Sequence, residues 1–273
     1  MRKLTNLLAI TILIGGCSSM KQTSNANDDD VYYSRKDKSD TTSIHAKNNL
    51  EYALAHPTTT TTLTLRRCNL KTLPPEIGTL KNLKTLKIYK CKLETLPPEI
   101  GKLGNLETLI LNTNKLKTLP PEIGSFEKLK YLSLSYNELE KLPPEIGNLI
   151  SLEVLSLNGN QLTELPQEIG RLNGLTYLTL ANNKLSELPP SIGNLTILKT
   201  FIIGRNRFDK LPAEIGKLSS LYELNVSGSG AMLQIPNSIC DISSLENLYV
   251  DASTQIPYCL QSRNSFRFKI IVQ

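Results

Sequence analysis

Seven glycines recur every 23 residues, at Gly78, Gly101, Gly124, Gly147, Gly170, Gly193 and Gly216. A fixed period held over that length marks a chain that stacks one structural unit, so the repeat sets the architecture before any single residue is weighed. Stacked copies build an extended surface rather than a cleft lined by unlike groups, which favours binding over catalysis.

In register, each unit reads L-x-x-L-x-L-x-x-N-x-L-x-x-L-P-P-E-I-G-x-L-x-x. Units begin at Thr60, Leu83, Leu106, Leu129, Leu152, Leu175 and Leu198; an eighth, from Leu221 to Ser244, is one residue longer, and a ninth fades after Leu245. Within the fourth, Leu132 and Leu134 stand two apart, which is the period of a strand, and Tyr131, Ser133 and Ser135 must then point to the opposite face. Asn137 follows where the chain turns inward, and a buried amide there can both donate to and accept from turn backbone. Pro143 and Pro144 have no N–H, so the return arm is expected as extended chain or a short helical turn, not a second sheet. The glycine allows a backbone conformation or a close approach that a Cβ would hinder. Each strand pairs with its copy about 4.8 Å away, giving one parallel sheet of an α/β solenoid. The bulkier arms bend that sheet toward the inside.

The pattern resembles the leucine-rich repeat family, and its LPPEIG arm looks like the bacterial and plant-type 23-residue class, over residues 60–250. That resemblance implies a curved solenoid with a single parallel sheet on the concave side, extended or short-helical arms on the convex side, and protein recognition through the concave face. The departures are local. Cys68 and Cys91 stand at the Asn position of the first two units, Asn114, Asn137, Asn160, Asn183 and Asn206 hold it in the middle, and Ser229 and Ser253 take it at the end. The family tolerates Cys there. Ser191 replaces the arm's Glu once.

Arg2 and Lys3 precede an apolar run from Leu7 to Ile14, which reads as a secretory signal peptide, residues 1–16. The run Ile14-Gly15-Gly16-Cys17 resembles a bacterial lipobox, and the resemblance implies that Cys17 becomes the lipid-modified first residue. Membrane attachment would then rest on acyl chains. Ser18 follows Cys17 where an Asp would suggest inner-membrane retention, so the expectation leans to the outer membrane, with surface exposure open. Residues 17–43 are Ser, Thr, Asn, Asp and Lys with few apolar groups, a composition that cannot bury a core and reads as a flexible tether. Residues 44–59 read as an N-terminal helical cap, in which Ile44, Leu50, Ala53 and Leu54 can share one side. Residues 251–273 form the C-terminal cap, where Phe266, Phe268, Ile270 and Val272 alternate as a strand that closes the sheet edge.

The net charge of +6 falls to +4 once residues 1–16 are removed. That mild excess, with no Trp, gives nucleic-acid binding no support. Beyond Cys17 four cysteines remain. Cys240 with Cys259 and Cys68 with Cys91 are the pairings available in an exported chain, and either pair can also stay reduced. No C-x-x-C, P-loop, dinucleotide fingerprint or helix-borne zinc motif is present, so no metal and no cofactor are expected. His45 and His56 both lie in the cap, which leaves no imidazole for a triad on the sheet. The Glu76, Glu99, Glu122, Glu145, Glu168 and Glu214 row recurs because the unit recurs, not as an acid/base pair.

The face opposite the leucines is the candidate binding surface. At its start it carries Arg66, Arg67, Lys84, Lys87, Tyr89 and Lys90; in the middle Ile110, Asn112, Tyr131, Tyr136, Asn158, Tyr177 and Asn182; later Ile202, Arg205, Tyr222, Glu223, Asn225, Glu246, Tyr249 and Asp251. It therefore runs from basic, through Tyr and Asn, to acidic. Tyr suits interfaces and Asn supplies adaptable hydrogen bonds. The expectation is a monomeric, non-enzymatic envelope lipoprotein that binds a protein partner of unknown identity. Glycan or peptidoglycan binding and a purely structural role are the alternatives.

Overall fold

The computed structural model describes residues 43–230, 232–262 and 267–273, with side chains in the first helix from residue 49 onward. The signal segment, Cys17 and the tether, the side chains of Ile44 and His45, and Phe266 lie outside the described residues.

Among the described residues, ten strands form one parallel sheet in sequence order. They are β1 Thr62–Arg66, β2 Thr85–Tyr89, β3 Thr108–Ile110, β4 Tyr131–Ser133, β5 Val154–Ser156, β6 Tyr177–Thr179, β7 Thr200–Ile202, β8 Glu223–Asn225, β9 Asn247–Val250 and β10 Lys269–Val272. Pairing runs at an offset of one repeat, as in Tyr131↔Val154 and Val154↔Tyr177. The longer eighth unit keeps this register, because Glu223 pairs with Asn247 and the extra residue is taken up in the turn between. The sheet and its arms form the curved, unclosed solenoid of the repeat pattern. The leucines that set the period, Leu129, Leu132, Leu134, Leu139, Leu149 and Leu152 among them, are fully buried in one continuous core. Each contributes roughly 1.5–3 kcal/mol of burial.

The arms are five-residue 3-10 turns, for example Pro75–Thr79, Pro98–Lys102 and Pro144–Asn148. The leading Pro is extended, at φ −67° and ψ 149° for Pro74, and the next Pro opens the turn, where its missing N–H is not needed. The turn closes through the Ile77 N–H donating to the Pro74 oxygen at 3.0 Å. The arms form short helical turns and no second sheet, as the prolines require; only isolated parallel bridges, Lys210 to Gln234 and Gln234 to Gln255, join them among the described residues at the C-terminal end. Only the prolines lack N–H groups; the residues ahead of them keep theirs and use them.

Of the two roles open to the repeat glycine, the structure selects close approach. The positive-φ residues do not include the seven glycines of the period. Instead, a Cβ on Gly78 would stand 2.8 Å from the Glu99 oxygen of the next arm.

The Asn ladder forms as the pattern requires. Asn160 Oδ1 accepts the Leu139 N–H at 3.1 Å, and its Nδ2 donates to the Leu134 and Leu157 oxygens at 3.0 Å each. Asn114, Asn137, Asn183 and Asn206 repeat this set. Ser229 makes one such bond, to Ile203 at 3.0 Å. In the ninth unit Ser253 is exposed, and the buried Thr254 bonds instead within its own turn, its Oγ1 accepting the Asp251 N–H.

The ends are closed differently. Helix α1, Ser43–Ala55, packs on β1 and buries Leu50 and Ala53, with Leu54 half-buried beside them. His56 lies just past it, its ring stacked on Tyr52 at 4.2 Å, in a structural setting. At the other end a short helix, α2 (Tyr258–Gln261), precedes β10. Phe268 and Ile270 pack partly on the core, but Val272 is 60% exposed on the outermost strand. Cys68 is bonded to Cys91, at a Cα–Cα distance of 4.2 Å, and Cys240 to Cys259, at 6.1 Å. Among the described residues no helix is long and apolar enough to cross a membrane, and no group of His, Cys, Asp and Glu could hold a metal ion.

Candidate sheet-face binding surface

Strand alternation sorts the outward side chains into columns that cross the repeats. One column reads Thr85, Thr108, Tyr131, Val154, Tyr177, Thr200, Glu223. The next reads Lys87, Ile110, Ser133, Ser156, Thr179, Ile202, Asn225. Half-buried Tyr131 and Tyr177 flank Val154, with two strand spacings, about 9.6 Å, between them. The small Ser133, Ser156 and Thr179 beside them are buried. The middle of the face is thus a floor of short hydroxyls beside a tyrosine-valine-tyrosine row, with Lys87 and Arg66 toward one end and Glu223 and Asp251 toward the other.

The structure divides the expected surface into several groups. Arg66, Lys87, Tyr89, Tyr131, Tyr177, Ile202, Glu223 and Tyr249 keep outward positions on the sheet and Asn158 lies just past the end of β5, all partly exposed. Ile110 and Asn112 are corrected, being only 3% and 9% exposed. On a concave face, outward side chains converge and bury the smaller ones between them. Asn112 Oδ1 also accepts the Ser133 hydroxyl at 2.7 Å and the Ser135 N–H at 3.0 Å. Asn158 does similar work for the Ala181 N–H at 2.9 Å. Tyr222 precedes β8 and sits on the rim where the strands begin.

Arg67, Lys90, Tyr136, Asn182 and Arg205 are corrected as well. They lie beyond the strands, at a turn position with left-handed φ of 51°, 58°, 59°, 62° and 55°. Thr113, Gly159 and Gly228 complete that column. The left-handed region costs a side-chain-bearing residue about 1–2 kcal/mol, with Asn the partial exception. The glycines at 159 and 228 were the sequence signal for it, since both are spaced one or more whole repeats from residues that carry long side chains. The Tyr136 ring lies across Gly159, where a Cβ would stand 2.7 Å from its Cδ1.

Burial pushes the Glu223 carboxyl above its ordinary range. A raised carboxyl means that the folded state holds the proton more tightly than the unfolded chain, whose value lies near 4.3. Its favourable contribution is present below that pH and is lost as pH rises through the folded value. Glu223→Gln should therefore melt at a higher temperature than the unsubstituted protein at pH 7, and the difference should vanish near pH 4. Paired thermal melts at the two pH values decide it; a pH-independent difference would show that titration is not the cause.

The family model of the leucine-rich repeat region matches residues 117–205. Those residues are a leucine-rich repeat region, and the fold around them is a leucine-rich repeat solenoid. No curated protein matches it. Among solved structures, this leucine-rich repeat chain is similar to a leucine-rich repeat protein of Leptospira interrogans, at 34% identity and a TM-score of 0.65, covering 76% of this chain and 58% of that one. It is similar to the plant peptide hormone receptor RGFR1, solved in complex with RGF2, at 35% identity and a TM-score of 0.67, covering 77% and 35%. An internalin of Listeria monocytogenes, at 21% identity, a TM-score of 0.66 and 80% and 62% coverage, shares the fold. The chain therefore spans less than two thirds of the length of each of these three. Leucine-rich repeat solenoids of this kind are typically protein-interaction scaffolds rather than enzymes.

Proposed function

We propose that this chain is a lipid-anchored protein of the bacterial cell envelope that binds a protein partner through the outer face of its sheet, without catalysing a reaction. The observation that carries the reading is the uncovered sheet face, with Tyr131, Val154 and Tyr177 in register at its middle and opposite charges toward its ends. Parallel sheets normally have both faces covered. This one leaves a broad face with aromatic anchors, the residue type that dominates interface energetics. Lys87 and Arg66 at one end and Glu223 and Asp251 at the other would fix which way a partner lies. The receptor neighbour solved in complex with RGF2 supports a protein or peptide as the ligand class. The lipobox-like run ending at Cys17, followed by Ser18, supports attachment by acyl chains, at the outer rather than the inner membrane.

The test is the double substitution Tyr131→Ala with Tyr177→Ala. Both rings lie on the outward face, so the solenoid should keep its circular dichroism spectrum. Affinity for a partner identified by cross-linking to the intact cell surface should fall at least about tenfold, since central aromatic anchors are each worth around 2 kcal/mol or more. Unchanged affinity in the folded variant would move the site off this face.

A further inference from the structure

The left-handed turn column and the exposed column two residues beyond it form the rim where the strands end. That rim is basic. Toward the start of the solenoid it carries Arg67, Lys90, Lys92 and Lys115, and toward its end Lys184, Arg205 and Arg207, all seven exposed. Glu138 is the one acid in these two columns over the first seven units. The opposite rim, where the strands begin, is balanced: Lys81, Lys84, Lys128, Lys130 and Lys199 face Glu107, Glu127, Glu153 and Glu246. The next exposed column past the basic rim is also mixed, with Lys71 paired to Glu94 at 3.3 Å. The unbalanced positive charge of this edge therefore runs as a stripe two columns wide, beside Arg66 and Lys87 of the sheet face, and the sheet-face reading does not use the stripe itself.

We propose that this rim docks on an anionic membrane surface and holds the solenoid edge-on, with the sheet face left open to its partner. Successive strands pair whole repeat on whole repeat without slipping, so their ends lie level along the rim. From Arg67 to Arg205 it crosses six strand spacings, about 29 Å. A planar charged surface meets every repeat of such a rim at once, whereas a linear polyanion would have to bend along its arc. Tyr136, laid over Gly159, sits in the gap between the two basic clusters, and tyrosine favours the headgroup layer. The inference rests on the membrane-attached reading for its setting. Helix α1 packs on β1, so the four-cation cluster lies on the repeats next to the point where the tether joins. A single lipid anchor gains stability from such a second, polybasic signal.

The experiment uses the unlipidated full chain carrying Cys17→Ser, sedimented with vesicles of phosphatidylcholine alone or with phosphatidylglycerol. Binding is expected only to the anionic vesicles and should weaken steeply with added salt. Each basic residue near an anionic surface changes partitioning about fivefold, so the Arg67→Gln, Lys90→Gln, Lys92→Gln, Lys115→Gln variant should bind at least about a hundredfold more weakly. A charge-matched variant, Lys81→Gln, Lys84→Gln, Lys128→Gln, Lys130→Gln, should keep most of the binding. All eight residues are exposed, so both variants should fold, which circular dichroism verifies. No binding to anionic vesicles, equal loss in both variants, or binding to an anionic polysaccharide but not to vesicles would each overturn the proposal. Palmitate labelling of the native chain against Cys17→Ser reads the lipid anchor separately, so failure of one reading leaves the other standing.

Discussion

Asn160→Leu should lower the stability of the solenoid by about 3–4 kcal/mol, the largest loss expected from a near-isosteric change. Leucine fills nearly the same volume, so the measurement isolates hydrogen bonding from cavity formation. Asn160 is 3% exposed. Its Nδ2 donates to the Leu134 and Leu157 oxygens, but each of these also accepts from a neighbouring ladder amide, Asn137 at 2.9 Å and Asn183 at 3.0 Å. Those carbonyls therefore stay paired in the variant. The Leu139 N–H does not; Asn160 Oδ1 is its partner, at 3.1 Å. A buried donor left without a partner costs about 1–3 kcal/mol, and the two lost donations add roughly 0.5–1 kcal/mol each. For a chain of this size the melting temperature should fall by roughly 6–16 °C. The exposed Lys184→Ala should stay within about 0.5 kcal/mol of the unsubstituted protein. An Asn160→Leu loss below about 1 kcal/mol would mean that the ladder follows the fold rather than holds it.

Because Asn160 bonds backward to Leu134 and Leu139, the damage falls on the contact between units. In a stack, that interface term is what makes single units cooperate. The ladder also thins toward the ends. Ser229 supplies one bond in place of the amide set, and the first two units carry the bonded Cys68 and Cys91 in that position. Covalent closure stands where the amide is missing.

What could be read from the chain follows from what side-chain pattern encodes. The period of two at Leu132 and Leu134, the inward Asn137 and the paired prolines each force a local geometry, and copying them every 23 residues forces the sheet. Burial on the outer face is different. Ile110 and Asn112 alternate correctly yet are covered, because cover there depends on neighbouring units, as where Asn112 bonds Ser133 and Ser135, and a one-dimensional pattern does not hold that. The left-handed turn was hidden for another reason. Arg67, Lys90, Tyr136 and Arg205 are residues that rarely adopt that conformation, so their identity argued against it; only Gly159 and Gly228 pointed the other way. That misreading merged the rim with the sheet face. Separating them leaves a binding face centred on tyrosines and a distinct basic edge.

Gly124→Ala should cost about 3 kcal/mol, whereas Gly104→Ala, twenty residues earlier, should gain about 0.4–1 kcal/mol. Neither glycine is among the positive-φ residues, so conformational freedom does not separate them. Space does. A Cβ on Gly124 would meet the Glu145 oxygen at 2.5 Å and the Glu145 Cβ at 2.8 Å, whereas one on Gly104 would meet nothing within 4 Å. The first contact is with the backbone of the next arm, which cannot turn aside as a flexible side chain can, so two units would have to separate along the convex side. The second substitution only narrows the unfolded ensemble. Urea denaturation of the two variants should place them about 3–4 kcal/mol apart, with Gly104→Ala above the unsubstituted protein and Gly124→Ala well below it. Equal stability would mean that the arms have slack, and that the glycine spacing which defines this chain is not set by how closely its arms pack.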